Sequence, residues 1–210
     1  MPTMPMFPLQ VAMLPGEELP LRIFEPRYAA LVQTCLAQPD PAFGVVLIAA
    51  GREVGGGDVR SDVGALAHIT EHIDQGDGRY RLKCTMGERI RVLEWLPDDP
   101  YPRAVVELWP DQPGAPVDVA AIRDIEDRMV ALFERIAAKR GVEVHGRGVV
   151  AGADSSGDAA MWLYTLTSRF PMGQADRYAV LAAPTVAERV AALSDAVDTV
   201  TAMVEFQLSD

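Results

Sequence analysis

The sequence predicts an α+β protein, a closed or nearly closed β barrel followed by a bundle of helices. Three observations predict it. Short segments of alternating polarity fill the chain up to Trp109, a Pro/Gly turn cluster at Asp111 to Pro116 (DQPGAP) interrupts it, and beyond that cluster apolar residues recur at a period of 3.6 instead of 2. The expected division is a barrel over residues 1–112 and a bundle over residues 117–207.

Strands are expected at Met6 to Ala12, Glu18 to Ile23, Phe43 to Ala49, Val63 to Ile73, Arg79 to Met86, Glu88 to Trp95 and Arg103 to Trp109. Asp74 to Gly78 (DQGDG) reads as a hairpin turn between two of them. Many short strands beside one helix favour a barrel. That helix opens at Pro26, whose fixed φ suits a first helical turn, with the Glu25 carboxylate favoured by the positive end of the helix dipole. Tyr28, Leu31, Val32 and Cys35 form its apolar face, and Pro39 stops it near Gln38.

Beyond the turn cluster, Ile122, Ile125, Met129, Leu132, Phe133 and Ile136 make one helical stripe. Met161, Trp162, Leu166 and Phe170 make a second, with Asp158 placed to cap it. A third helix is expected over Gln174 to Ala182. The fourth starts at TVAE, where Thr185 and Glu188 can satisfy each other's amides, and continues through Val190, Leu193, Val197, Val200 and Val204. Between the first two, Gly141 to Gly157 is glycine-rich and reads as a long disordered connection.

Composition narrows the function. With 49% apolar and 23% charged residues the chain has the makeup of a folded domain, while a formal net charge of −11 disfavours nucleic acid and anionic membranes, which need clustered Lys and Arg. The same acidity favours basic binding partners. Two cysteines, Cys35 and Cys84, read as reduced core thiols rather than a disulfide framework. The N-terminus has no basic start and is broken by prolines, and no apolar run approaches the roughly 20 residues of a membrane span, so cytoplasmic residence is expected.

HITEH, His68 to His72, fits the HxxEH pattern of inverted zinc peptidases, but alternation of Val63, Ala65, Ala67, Ile69 and Ile73 places it on a strand. There the two imidazoles stand roughly 13 Å apart, too far to share an ion, and both are expected to face solvent. Gly55 to Gly57 are followed by Asp58, whose charge makes a poor phosphate cradle, so a mobile connection is the better reading. Neither lysine, Lys83 or Lys139, follows a phosphate loop. No catalytic residue, metal ligand or cofactor is therefore expected.

One string combines a strand end, a reversal and a helix start: PLRIFEPRY, Pro20 to Tyr28. With MFPL (Met6 to Leu9) and MLPGEELPL (Met13 to Leu21) before it, and FGVVLI (Phe43 to Ile48), VGALAHI (Val63 to Ile69) and DGRYRLKCTMGERIRV (Asp77 to Val92) after it, it resembles the N-terminal, substrate-binding domain of Lon proteases, in the form of stand-alone LON-domain proteins. Ile90 stands where the family often has an aromatic residue. The resemblance implies a PUA-like pseudo-barrel, a non-catalytic role in recognising unfolded or degradation-bound polypeptides, and no ATPase or peptidase part. The runner-up is an adaptor or self-associating protein presenting clients to a separate protease, so a protease subunit or a second copy of the chain are candidate partners.

Within this frame Phe24, Tyr28 and Gly44 are expected to specify the fold by close packing, so that Phe24→Ala would leave a cavity costing about 3 to 5 kcal/mol. Arg27 and Arg89 have Glu25, Asp77 and Glu88 as candidate partners. Trp95, Tyr101 and Trp109 are the candidate polypeptide-binding residues, because indole and phenol rings dominate binding hot spots, with core packing the favoured alternative for each. The groove is expected where barrel and bundle meet, with a free sheet edge as one binding mode.

Overall fold

A computed structural model describes residues 3–50, 59–142, 150 and 158–209. The chain divides into two compact units, Met1–Pro110 and Asp111–Asp210. The first holds β1 (Thr3–Leu9), β2 (Glu18–Ile23), α1 (Pro26–Leu36), β3 (Ala42–Ala50), β4 (Val59–Asp74), β5 (Tyr80–Leu96) and β6 (Arg103–Leu108). The strand order is β2-β5-β4-β3-β1-β6, and β6 also pairs with β5, which closes five strands into a ring. One edge of β5 serves two partners: Tyr80 to Thr85 take β2, and Ile90 to Leu96 take β6.

β3 explains why FGVVLI is apolar throughout. Phe43 and Val45 enter the core cluster that includes Leu31, Val32 and Cys35 of α1, whereas Val46 enters a second cluster with Met6, Leu66, Ile90 and Val106. Both faces of the strand are buried, so alternation disappears. Gly44 lies between them. A Cβ there would stand 2.5 Å from Met6 Sδ and 2.7 Å from Ile90 Cδ1, so the close packing expected of it is present.

Three expectations for the strands change. β1 begins at Thr3 and ends at Leu9, because Thr3 to Pro5 are drawn into an antiparallel ladder with β6. The two strands expected on either side of Gly87 are one 17-residue strand, in which a bulge between the Ala65–Arg89 and Ala67–Met86 pairs bends the ladder without ending it. A second bulge, between the Ile69–Cys84 and Glu71–Lys83 pairs, inserts one extra residue into β4 and reverses the parity beyond it. Ile73, expected on the apolar face, is therefore 60% exposed and sits opposite Arg81.

The DQGDG turn and the start of α1 follow their sequence signals. Gly76, Asp77 and Gly78 all have positive φ, and Asp74 accepts the Gly76 amide at 2.8 Å. Pro26 occupies the first turn of α1 with Glu25 at the N-cap. The Glu25 side chain makes no capping hydrogen bond and takes Arg27 Nε at 3.0 Å instead.

The second unit contains, among the described residues, α2 (Val119–Lys139), α3 (Ala159–Arg169), α4 (Gln174–Ala182) and α5 (Val186–Ser209). Asp158 caps α3 by accepting from the Ala160 and Met161 amides, and Asp118 caps α2 through the Ala120 amide. The capping box of α5 forms in both directions: Thr185 Oγ1 accepts from the Glu188 amide and Glu188 Oε2 from the Thr185 amide, each at 3.1 Å. Arg128 reaches Asp198 and, seven residues on, Arg135 reaches Glu205, so α2 and α5 run side by side in one direction. DQPGAP, expected as a linker, is fastened to these helices: Asp111 pairs with the fully buried Arg189, and the Gln112 amide donates to Pro184 O at 2.9 Å. The glycines 55–57 with Asp58, and the Gly141–Gly157 segment apart from Gly141, Val142 and Val150, lie outside the described residues.

Candidate functional site

The alternation of β2 builds the site. Leu19 and Ile23 turn into the core, which sends Arg22 outward; Phe24, one step past the strand, keeps the parity of Arg22 and not of Ile23. Phe24 is 65% exposed. The expectation that it fills the core is thus corrected, and with it the large cavity cost of truncation.

Beneath Phe24 lies a cavity of about 130 Å³ between β1, β2 and the first turn of α1. Phe7, Ile23 and Tyr28 form its floor, with the Phe7 and Tyr28 rings 4.2 Å apart, and Leu9 and Leu21 its apolar walls. Pro8, Arg22 and Glu25 complete the lining. A cavity of about 150 Å³ accepts benzene, whereas drug-sized ligands and cofactors need about 300 to 1,000 Å³, so this one suits a single aromatic or branched side chain. A larger cavity of about 310 Å³, lined by Thr3 to Pro5, Thr34, Cys35, Gln38 and Ala42, has neither an aromatic nor a charged side chain in its wall. It offers a ligand little to hold.

The three aromatic residues singled out from the sequence do not share one surface. Tyr101 is buried in the core, its hydroxyl donating to Thr34 Oγ1 at 3.0 Å. Trp95 and Trp109 lie at opposite ends of the β5–β6 ladder, both half-buried. Each ring is already covered from within its own unit: the Arg60 guanidinium stands 5.0 Å from Trp95, and those of Arg89 and Arg91 stand 4.4 and 5.8 Å from Trp109. Of the two arginines weighed for ion pairs, Arg27 pairs with Glu25, whereas Arg89 is buried and stacks on Trp109.

The cysteines and histidines are placed as follows. Both cysteines are free and buried, and desolvation pushes each thiol up to about 12, with Cys35 adding to the effect on Cys84. A thiol that stays protonated is a poor nucleophile. His68 and His72 both lie on β4, the first half-buried with its ring nitrogens 3.6 Å from Asp40 and 3.5 Å from Glu88, the second exposed. Solvent exposure, expected of both, holds for His72, whereas the His68 ring packs over Gly87, where a Cβ would lie 2.7 Å from Nε2. Among the described residues no group of three or more His, Cys, Asp or Glu is placed to hold a metal ion.

Comparison with known proteins gives a consistent relationship. A profile for the ATP-dependent protease La (LON) substrate-binding domain matches residues 3–199. The crystal structure of a Lon N-terminal domain protein from Xanthomonas campestris superposes with a TM-score of 0.63 at 24% identity, over 92% of this chain and 97% of that one. The N-terminal domain of Mycobacterium avium complex Lon protease gives 0.60 at 15% identity, over 94% and 98%. Identities this low establish the shared fold. Among curated proteins no match is found.

Proposed function

Because the chain belongs to the LON substrate-binding domain family, we propose that it binds unfolded or degradation-bound polypeptides without transforming them, taking one apolar side chain at a time into the Phe24 cavity. The exposed Phe24 ring over an apolar cavity carries this reading. Leaving that ring in water forgoes burial worth about 1.5 to 3 kcal/mol, a cost that a bound apolar segment would recover. Only the substrate-binding part of a Lon protease is matched, which supports a non-catalytic role. Two buried, protonated thiols suit a reducing cytoplasm.

Fluorescence anisotropy with a panel of labelled peptides tests the reading. Peptides with an aromatic or branched aliphatic residue should bind saturably, and those built from Ser, Gly and Gln should not. Phe24→Ala should weaken binding about tenfold, as hot-spot truncations do, while shifting stability by no more than about 0.5 kcal/mol. Tyr28→Ala, on the cavity floor, should instead cost about 3 to 5 kcal/mol of stability. Failure of every unfolded peptide to bind, with capture of one folded protease subunit, would favour the adaptor role.

A further inference from the structure

The outer face beside the cavity carries an uncompensated charge pattern. Arg22 of β2 lies directly opposite Arg81 of β5, and Arg81 lies opposite Ile73 of β4. All three are exposed. Like charges at directly opposed positions, with Cβ atoms about 4.5 to 5.5 Å apart, destabilise a ladder. Two residues along β5, Lys83 shows the ordinary solution, with Glu18 at 3.4 Å and Glu71 at 3.8 Å. Among the described residues neither Arg22 nor Arg81 has an ion-pair or hydrogen-bond partner for its guanidinium. Glu25, the carboxylate of the cavity rim, is held by Arg27.

We propose that Arg22 and Arg81 form a carboxylate-reading subsite next to the Phe24 cavity, selecting polypeptides in which an apolar side chain stands one or two residues from a carboxylate. The inference rests on the polypeptide-binding reading and specifies its substrate. Arg22 is two residues from Phe24, a reach of about 7 Å along an extended chain, which sets that spacing. Guanidinium groups suit the task, since their planar fork meets a carboxylate with two parallel hydrogen bonds. The local pattern thus runs against the net charge of −11, which by itself favours basic clients. Short range settles the conflict: the arginines act at contact, whereas distant surface charge is screened within about 10 Å at 0.1 M salt. The carboxylate can belong to Asp or Glu, or to a chain's own C-terminus.

Four labelled peptides sharing one Phe-centred core separate the outcomes: a neutral C-terminal amide, the same sequence with a free C-terminal carboxylate, a Glu-flanked amide and a Lys-flanked amide. At low salt the carboxylate-bearing peptides should bind about threefold to tenfold more tightly than the neutral amide, and the Lys-flanked peptide more weakly. A gain confined to one carboxylate peptide supports the subsite and names its source. Arg81→Gln should bring the carboxylate-to-amide ratio close to one, and Lys83→Gln should leave it unchanged. Equal binding of all four, or preference for the Lys-flanked peptide, overturns the subsite while leaving polypeptide binding intact. Absence of binding by all four overturns both.

Discussion

Two arginine sites, one in each unit, are built in opposite ways. In the helical unit Arg189 is fully buried, both its terminal nitrogens reach the Asp111 carboxylate, and its guanidinium lies 4.3 Å from the Tyr164 ring centroid. In the barrel unit Arg22 and Arg81 stand directly opposite each other, both exposed, and among the described residues neither guanidinium pairs with a carboxylate. The difference follows from dielectric. A buried charge without a partner costs several kcal/mol and must be compensated by the fold itself, whereas an exposed like pair costs only a few tenths and can persist. Buried charge therefore reports on stability. Uncompensated surface charge beside an open aromatic ring is not required by the fold, and it is there that a ligand's contribution is to be sought.

The comparison breaks most visibly if Arg189 loses its partner. Asp111→Ala should destabilise the protein by about 3 kcal/mol, the lower end for a broken buried pair because the Asp111 side chain is itself 27% exposed. Urea unfolding measures it. A cost below about 1 kcal/mol would mean that the Asp111–Pro116 segment is held by the Gln112–Pro184 hydrogen bond, and that the buried pair is incidental.

A smaller effect comes from the thiols of the barrel core. Burial raises Cys35 and Cys84 from an ordinary 9.0 to about 12, so the folded state prefers the protonated form. Their contribution to stability is fully present below pH 9 and is lost as pH rises from about 9 to about 12, because there the unfolded chain releases protons that the folded one retains. Alkaline unfolding should show this decline, and a Cys35→Ala, Cys84→Ala double variant should show less of it. An unchanged slope in that variant would assign the alkaline transition to other groups.

Much of this architecture was legible from the chain because its signals are local. Pro26 marked the start of α1, DQGDG the hairpin, Asp158 the cap of α3 and TVAE the entry to α5, each satisfied by residues within four positions. What escaped depends on partners far away in sequence. The bulge after Ile69 exists only in the ladder with β5, so no window of β4 shows that Ile73 changes sides. The pairing of Arg22 with Arg81 is likewise a register fact. Phe24 is a different case, since its parity with Arg22 was already in the string LRIF. Aromatic residues are usually buried, but at Phe24 the strand period, which points outward, prevails.

The smallest effect tests the barrel side of the comparison most directly. If Arg22 and Arg81 repel one another with no hidden partner, Arg81→Gln should stabilise the protein, by about 0.2 to 0.5 kcal/mol at low ionic strength. The sign carries the argument, because removing a surface arginine that served the fold would destabilise it. Salt provides the control. Exposed charges separated by several ångströms are screened at high ionic strength, so the gain should shrink toward zero there, whereas the Asp111→Ala loss at the buried pair should persist. Chemical denaturation with urea, which leaves ionic strength unchanged, can resolve the pair of curves. A destabilised Arg81→Gln at low salt would place a carboxylate of this chain against the guanidinium, and the face beside Phe24 would then be satisfied from within, as Arg189 is by Asp111.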